Sequence, residues 1–110
     1  MMMLRLTMNV LPEKQKEVMQ TLLSIIDLTG KDNGCLSCNL LCDMEDKNIY
    51  TLIEEWETRE DLERHIRSEK FSVLLGTKSL LAEPLEVRFH TVSRSEGMQV
   101  VNAIRRPRDL

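Results

Sequence analysis

Hydrophobic residues change their spacing along this chain in a fixed order, and that order restricts the fold more than any other feature. Over residues 1–10, alternate positions such as Leu4, Leu6 and Met8 are apolar, which predicts a strand. Pro12 suits the first turn of a helix, and apolar residues then recur at helical spacing up to residue 29. Gly30 is predicted to follow this helix as its C′ residue.

The second half of the chain repeats this change of spacing. Thr58 and Ser68 are each predicted to cap a helix, since both residue types accept hydrogen bonds from free backbone N–H groups. The order strand, helix, strand, strand, helix, strand predicts an α+β, ferredoxin-like βαββαβ unit with both helices on one face of an antiparallel sheet. The remaining predicted elements are a turn at 32–34, strands at 35–43, 49–56 and 85–92, and helices from 58 and from 68 to 81.

The second and third strands are apolar on both faces, a pattern typical of strands that are buried on both sides. One layer of helices covers a single face, so we expect a homodimer that stacks two sheets. Residues 1–95 are predicted as one domain and residues 96–110 as a C-terminal arm. Its apolar run at 98–104 is read as an extra strand contacting the partner, or as a mobile terminus.

Composition excludes several classes of partner. The net charge of -3 argues against broad binding to nucleic acid or anionic lipid. The N-terminal apolar stretch is too short for a secretory signal or a membrane helix. We therefore expect a cytoplasmic protein that contacts neither nucleic acid nor membrane.

Three cysteines, Cys35, Cys38 and Cys42, form a C-x2-C-x3-C pattern. A zinc or iron–sulfur site normally needs a fourth soft ligand, and residues three apart on a strand point to opposite faces. Buried or half-buried thiols are the favoured interpretation, with metal or redox chemistry as the alternative; we expect no metal site.

Several short motifs occur in a recognisable order. Gly34-Cys35 precedes the predicted hairpin, Glu54-Glu55-Trp56 ends it, His65 lies on the next helix, and Ser68 and Phe71 follow. This ordered set resembles the antibiotic biosynthesis monooxygenase family. The resemblance runs from the first strand through Phe89 and implies a ferredoxin-like protomer that pairs into a dimeric α+β barrel.

The resemblance also implies chemistry. Some members oxidise quinols or anthrone-like compounds with O2 and without a cofactor. Such a reaction needs an apolar pocket for a flat substrate and a group that handles its phenolic proton. His65 is the candidate catalytic residue, because its side chain titrates near neutrality. The candidate substrate-binding residues are Trp56, Phe71, Tyr50, Asn9 and Arg88.

Structural roles remain open for the same residues. Trp56 is equally suited to the core or a dimer seam, His65 to ordering helix–sheet packing, and Asn9 to a turn. Leu52 stands where anthrone-oxidising members carry Asn, which weakens that substrate class. Leu75 stands where a haem-degrading branch has its axial His, which argues against haem degradation.

Two other functions stay open. The family includes isomerases of a phosphorylated signalling sugar, which would need a phosphate-holding cluster; Arg5, Arg64 and Arg88 are the available cations. A non-catalytic dimer that binds a small molecule is the third reading, because the chain lacks a strong nucleophile or metal set.

Overall fold

The computed structural model describes residues 1–107. Four antiparallel strands form one sheet in the order β2-β3-β1-β4, with helices between them. This is the predicted α+β ferredoxin-like βαββαβ arrangement, so the predicted fold class is confirmed. The elements are β1 Met2–Asn9, α1 Gln15–Thr29, β2 Cys35–Cys42, β3 Ile49–Trp56, α2 Arg59–Ile66, α3 Glu69–Gly76, β4 Glu86–Thr91 and α4 Met98–Arg105, with 3-10 turns at Pro12–Lys14 and Thr77–Leu80.

The core lies between one face of the sheet and helices α1 to α3. Alternate residues of β1 are buried there, as the period-2 pattern predicts, and β3 buries every second residue on the same side. From the helices, Val18, Leu22, Leu62 and Leu74 are fully buried against this face. Aliphatic and Met side chains therefore fill most of the core.

Polar caps define where α2 and α3 begin. The Thr58 side chain accepts a hydrogen bond from the Asp61 backbone N–H at 3.1 Å, and the Ser68 hydroxyl accepts one from the Phe71 N–H at 3.3 Å. Ser68 also donates to the carbonyl of His65, which joins the end of α2 to the start of α3. Both predicted caps are confirmed.

Gly30 directly follows α1, and the two glycines between α1 and β2 differ in backbone conformation. Gly30 has a φ of -60° and continues the right-handed backbone after α1, so it is not a left-handed C′ residue. Gly34, in the turn before β2, has a φ of 85°. The left-handed residue of this connection is thus Gly34, directly before β2.

The second face of the sheet has no cover within the described chain. It carries Arg5 and Arg88, which lie opposite each other on β1 and β4, and the partly exposed Ile49 and Ile53 of β3. On β2, Leu36 and Leu41 are about half exposed. This mixed apolar and charged face is where a second copy is predicted to pack.

The C-terminal arm is helical, which corrects the predicted extra strand. Met98, Val101 and Ile104 recur at helical spacing, and all three are exposed along α4. The helical spacing of these apolar residues outweighs the strand preference of β-branched Val100 and Val101. Arg105 lies in the last turn, where a positive charge interacts favourably with the helix dipole. Residues 108–110 of the predicted arm lie outside the described residues. Within residues 1–107, no helix has both the length and the apolar character needed to span a membrane.

Candidate active site

A cleft of about 290 Å³ opens at the end of β3, between the turn before β2 and the junction of α2 with α3. Its inner wall is aromatic and its rim is charged. The side chains that line it come from four separate parts of the chain. They are Asp32, Asn33, Trp56, Asp61, Arg64, His65, Ser68 and Lys70.

Three of the residues predicted from sequence meet at the inner wall. The His65 ring stacks on Trp56 with the ring centroids 4.7 Å apart. Phe71 meets the His65 ring edge-on, with the two centroids 5.5 Å apart. His65 is 3% exposed and Trp56 1%. Phe71 thus supports the imidazole from behind instead of lining the cleft.

Glu54 is the residue of this cluster that the sequence analysis did not identify as a site residue. Its side chain is fully buried, and its Oε1 accepts a 3.0 Å hydrogen bond from Trp56 Nε1. A signal was available, because Tyr50, Leu52 and Trp56 place Glu54 on the buried face by period 2. A carboxylate on that face needs a partner, and His65 is the nearby basic group.

The contact between Glu54 and His65 is close but not aligned as a hydrogen bond. Glu54 Oε1 lies 3.1 Å from His65 Nε2, yet both ring nitrogens and Glu54 Oε2 lack a hydrogen-bond partner of suitable geometry. A small rotation of the imidazole ring would align the pair as a hydrogen bond. The inner wall therefore holds a buried carboxylate against an imidazole.

Two ion pairs cross the rim of the cleft. Lys70 Nζ lies 2.7 and 2.6 Å from the two carboxylate oxygens of Asp32. Arg64 Nη2 lies 3.0 Å from Asp61 Oδ1. Asp32 also faces the imidazole, with its Oδ2 3.9 Å from His65 Nδ1. Each rim cation is thus already matched by a carboxylate.

Gly34 shapes the wall beside Asp61. A Cβ at this position would overlap the Asp61 carboxylate, and the φ of 85° strains any residue with a side chain. The Gly34 carbonyl also accepts a 2.7 Å hydrogen bond from the Glu57 N–H, which ties the turn to the end of β3. The Gly-Cys motif therefore has a backbone role.

The other predicted substrate-binding residues lie elsewhere. Asn9 and Arg88 are on the uncovered face, because their strand positions have the opposite parity to the buried residues. Tyr50 is on the buried face, but six residues along β3 from Trp56, or about 20 Å. These three side chains therefore do not line the cleft beside His65, and their part in substrate binding stays a prediction.

The cysteines are free thiols. Burial, and then the nearby Glu54, raises the pKa of Cys38 to about 12. Burial also raises the pKa of Cys35, with Glu54 and Asp32 adding to the effect. Both thiols thus stay protonated near neutrality. No group of three or more His, Cys, Asp or Glu within residues 1–107 is arranged to hold a metal ion.

Comparison with known proteins places this site in context. A family model described as antibiotic biosynthesis monooxygenase matches residues 1–74. An uncharacterized protein from Synechocystis sp. is 23% identical over 91 residues, which span 82% of this chain and 62% of that protein. The chain thus spans less than two thirds of that relative.

Solved structures share the fold. A conserved protein from Methanosarcina mazei Go1 has a TM-score of 0.77 and 29% identity, with 81% of this chain and 89% of that chain covered. A candidate antibiotic biosynthesis monooxygenase from Deinococcus radiodurans has a TM-score of 0.82 and 17% identity, with 88% and 97% covered. The second likeness concerns the fold alone.

Proposed function

Because the chain belongs to the antibiotic biosynthesis monooxygenase family, we propose that it is a cofactor-independent monooxygenase of a quinol or another small hydroxylated aromatic compound, with O2 as oxidant. One observation carries the proposal. His65 stacks on Trp56 at the inner wall of a cleft, with its Nε2 3.1 Å from the buried carboxylate of Glu54. An imidazole held by a carboxylate on one nitrogen is suited to act as a base at the other.

The proposed reaction begins with His65 taking a proton from a ring hydroxyl. The O–H bond breaks, the Nδ1–H bond forms, and the substrate becomes an electron-rich anion. Glu54 then faces an imidazolium, so its charge stabilises the product of proton transfer. A quinol supplies four electrons to O2 in all: two as a ring C–H becomes C–OH with one oxygen atom, and two as the quinol becomes a quinone. The second oxygen atom leaves as water, and the two protons it takes up equal in number the two that the substrate loses.

The cleft favours a small substrate. A volume of about 290 Å³ lies at the lower end of the range for ligand pockets and suits a molecule of one or two rings. The Trp56–His65 stack at the inner wall offers an aromatic contact, and the rim offers polar groups for substituents. A compact quinol therefore fits better than a large polycycle.

The phosphorylated-sugar alternative has less support. Arg64 and Lys70 are each paired with an aspartate at the rim, so neither is free to clamp a phosphate dianion. Arg5 and Arg88 lie on the opposite face of the sheet. Counting Glu54, the cleft carries three carboxylates against two permanent cations, which disfavours an anionic ligand.

Oxygen uptake with a panel of hydroquinones and naphthoquinols tests the proposal. We expect uptake above the buffer rate, and His65→Ala should lower kcat by about 100-fold or more. His90→Ala is the histidine control, since His90 lies on β4 away from the cleft; light scattering checks that the variant keeps the oligomeric state of wild type. Incorporation of ¹⁸O from ¹⁸O2 into the product distinguishes oxygenation from simple oxidation to peroxide.

Binding is measured separately through Trp56, the single Trp of the chain. Phenols that change its fluorescence without any oxygen uptake would support the non-catalytic binding function instead. Uptake equal in wild type, His65→Ala and buffer would overturn the oxygenase proposal.

We also propose that the chain works as a homodimer in a reducing compartment such as the cytoplasm. The uncovered sheet face and the exposed apolar stripe of α4 support a second copy, and three free thiols suit reducing conditions. Light scattering at micromolar concentration should give twice the mass of the chain. A monomer would overturn the dimer and leave that sheet face without a cover.

A further inference from the structure

His65 has one route by which a proton can leave. The ring stacks on Trp56 and touches the edge of Phe71, and both side chains are buried. On the Nε2 side, Glu54 is completely buried, so a proton passed there would have no direct contact with water. The Nδ1 side faces the cleft and Asp32.

Asp32 has the position and exposure needed to continue this route. Its Oδ2 is 3.9 Å from His65 Nδ1, and its side chain is 34% exposed while that of His65 is 1% exposed. The gap is too long for a direct hydrogen bond. Nδ1 is itself buried and has no hydrogen-bond partner, so an oxygen atom reaches it only when side chains at the rim of the cleft move. A shift of the Asp32 carboxylate by about 1 Å towards the ring brings the two atoms to hydrogen-bond distance.

We propose, on the basis of the oxygenase function above, that Asp32 accepts the proton that His65 removes from the substrate hydroxyl and releases it to solvent. The Nδ1–H bond of the imidazolium breaks, an O–H bond forms on Asp32, and that proton then passes to water. No electrons move in this step, and His65 returns to its neutral form. Lys70 acts as a positioning residue, because it holds both oxygens of Asp32.

The charges around His65 come from every element packed against it. Glu54 approaches from β3, Asp32 from the turn before β2, and Lys70 from α3. Asp61 and Arg64 of α2 share the cleft and pair with each other. Of the carboxylates in contact with the imidazole, Asp32 is the one that also reaches water.

The first test does not depend on any substrate. Trp56 stacks on His65, and a protonated imidazole over an indole ring is expected to quench its fluorescence. Temperature-jump relaxation in a buffer whose pH changes with temperature therefore measures how fast His65 gains and loses its proton. We expect Asp32→Asn to slow this relaxation at least about 10-fold, whereas Asp32→Glu should keep a rate near that of wild type.

Asp27→Asn is the matched control, because Asp27 forms an exposed pair with Lys31 that mirrors the Asp32–Lys70 pair. It should relax like wild type. Lys70→Met should slow the relaxation and Lys70→Arg should restore it. Equal relaxation rates in Asp32→Asn and wild type would overturn the proposed route, whatever the enzyme oxidises.

The second test uses turnover. Asp32→Asn should lower kcat about 10- to 100-fold with little change in KM, and rising formate concentration at constant pH should restore kcat, because a small base can replace a lost proton acceptor. A loss that formate does not restore would overturn the route and assign Asp32 a structural role. If wild type consumes no oxygen while Asp32→Asn still slows the relaxation, the oxygenase proposal fails and the proton route stands.

Discussion

The two ends of β3 carry an aromatic residue on the same face of the sheet, yet only the Trp56 end borders the cleft. Tyr50 belongs to the core, with the buried Met8 as its partner on β1 and the exposed Cys42 as its partner on β2. Trp56 instead has the buried carboxylate of Glu54 and the imidazole of His65 beside it. One strand thus supplies core at one end and a candidate site at the other.

The difference depends on two local features. Glu54 replaces an apolar residue on the buried face, which costs free energy unless it has a partner or a role. The turn at Gly34 packs beside Asp61. It does not cover Trp56 and His65, which therefore line the cleft. A site therefore forms where a carboxylate enters the buried face and the covering turn leaves room for a ligand.

Substitutions at two neighbouring buried positions of β3, Glu54 and Leu52, should give the largest difference between the candidate site and the core. We expect Glu54→Leu to lower kcat for quinol oxidation about 1000-fold. The free energy of unfolding should change by less than about 2 kcal/mol, since losing a buried charge offsets the lost partner of Trp56 Nε1. Oxygen uptake and urea unfolding measure these two quantities.

Leu52→Ala is the contrasting variant on the same face. Leu52 is fully buried, and its truncation should cost about 2 to 5 kcal/mol of stability while kcat of the folded protein stays within about threefold. Should Glu54→Leu unfold the chain and Leu52→Ala abolish turnover, the division between site and core would be wrong.

The alternation of side chains between the two faces of the sheet explains why the buried residues of β1 and β3 could be predicted from the sequence. Alternation along β1 and β3 placed Leu4, Leu6 and Trp56 on the buried face, and helical spacing placed His65 opposite. The same rule also places Glu54 on the buried face, although Glu54 is not among the site residues predicted from the sequence. It also puts Asn9 on the uncovered face, away from the cleft.

Other contacts could not be predicted from local sequence patterns, because they join residues that are far apart in the chain. Asp32 and Lys70 are 38 residues apart, and their pairing depends on how the turn before β2 meets α3. In the sequence, Gly34 resembles any other turn glycine. The structure shows that the Asp61 carboxylate occupies the space that a side chain at this position would need. In the arm, β-branched Val100 and Val101 suggested a strand, whereas the spacing of the apolar residues produced a helix.

Gly34→Ala should disturb the Trp56 end by changing the turn alone. The substitution combines an unfavourable φ with overlap against Asp61, so we expect a loss of about 2 to 3 kcal/mol in the free energy of unfolding. Urea unfolding gives this value, and Trp56 fluorescence should shift as the wall moves.

Gly76→Ala provides the control for that change. Gly76 ends α3 with a φ of -65° and has nothing within 4 Å of an added Cβ. Ala should therefore stabilise the chain by about 0.5 to 1 kcal/mol. Equal effects at the two glycines would remove the special role of the turn at Gly34.

Two thiols of β2 allow the two ends of β3 to be compared with the smallest expected effect. Cys38 lies opposite Glu54, and Cys42 lies opposite Tyr50. Cys42 is exposed. The pKa of Cys38 is raised to about 12 by burial and by Glu54, so at pH 8 only about one molecule in 10⁴ carries the reactive thiolate at this position. Iodoacetamide should therefore modify Cys42 at least about 10-fold faster than Cys38, as followed by peptide mass spectrometry.

Raising the pH sharpens this comparison, and its sign follows from the direction of the shift. A folded-state pKa above that of the unfolded chain means that stability from the neutral Cys38 thiol is complete below pH 9 and is lost as the pH rises towards 12. Glu54→Gln removes the negative charge next to the thiol and should speed the modification of Cys38, while Cys42 keeps its rate. If Cys38 reacts as fast as Cys42 at pH 8, this thiol is open to solvent, and the buried environment assigned to Glu54 would fail with it.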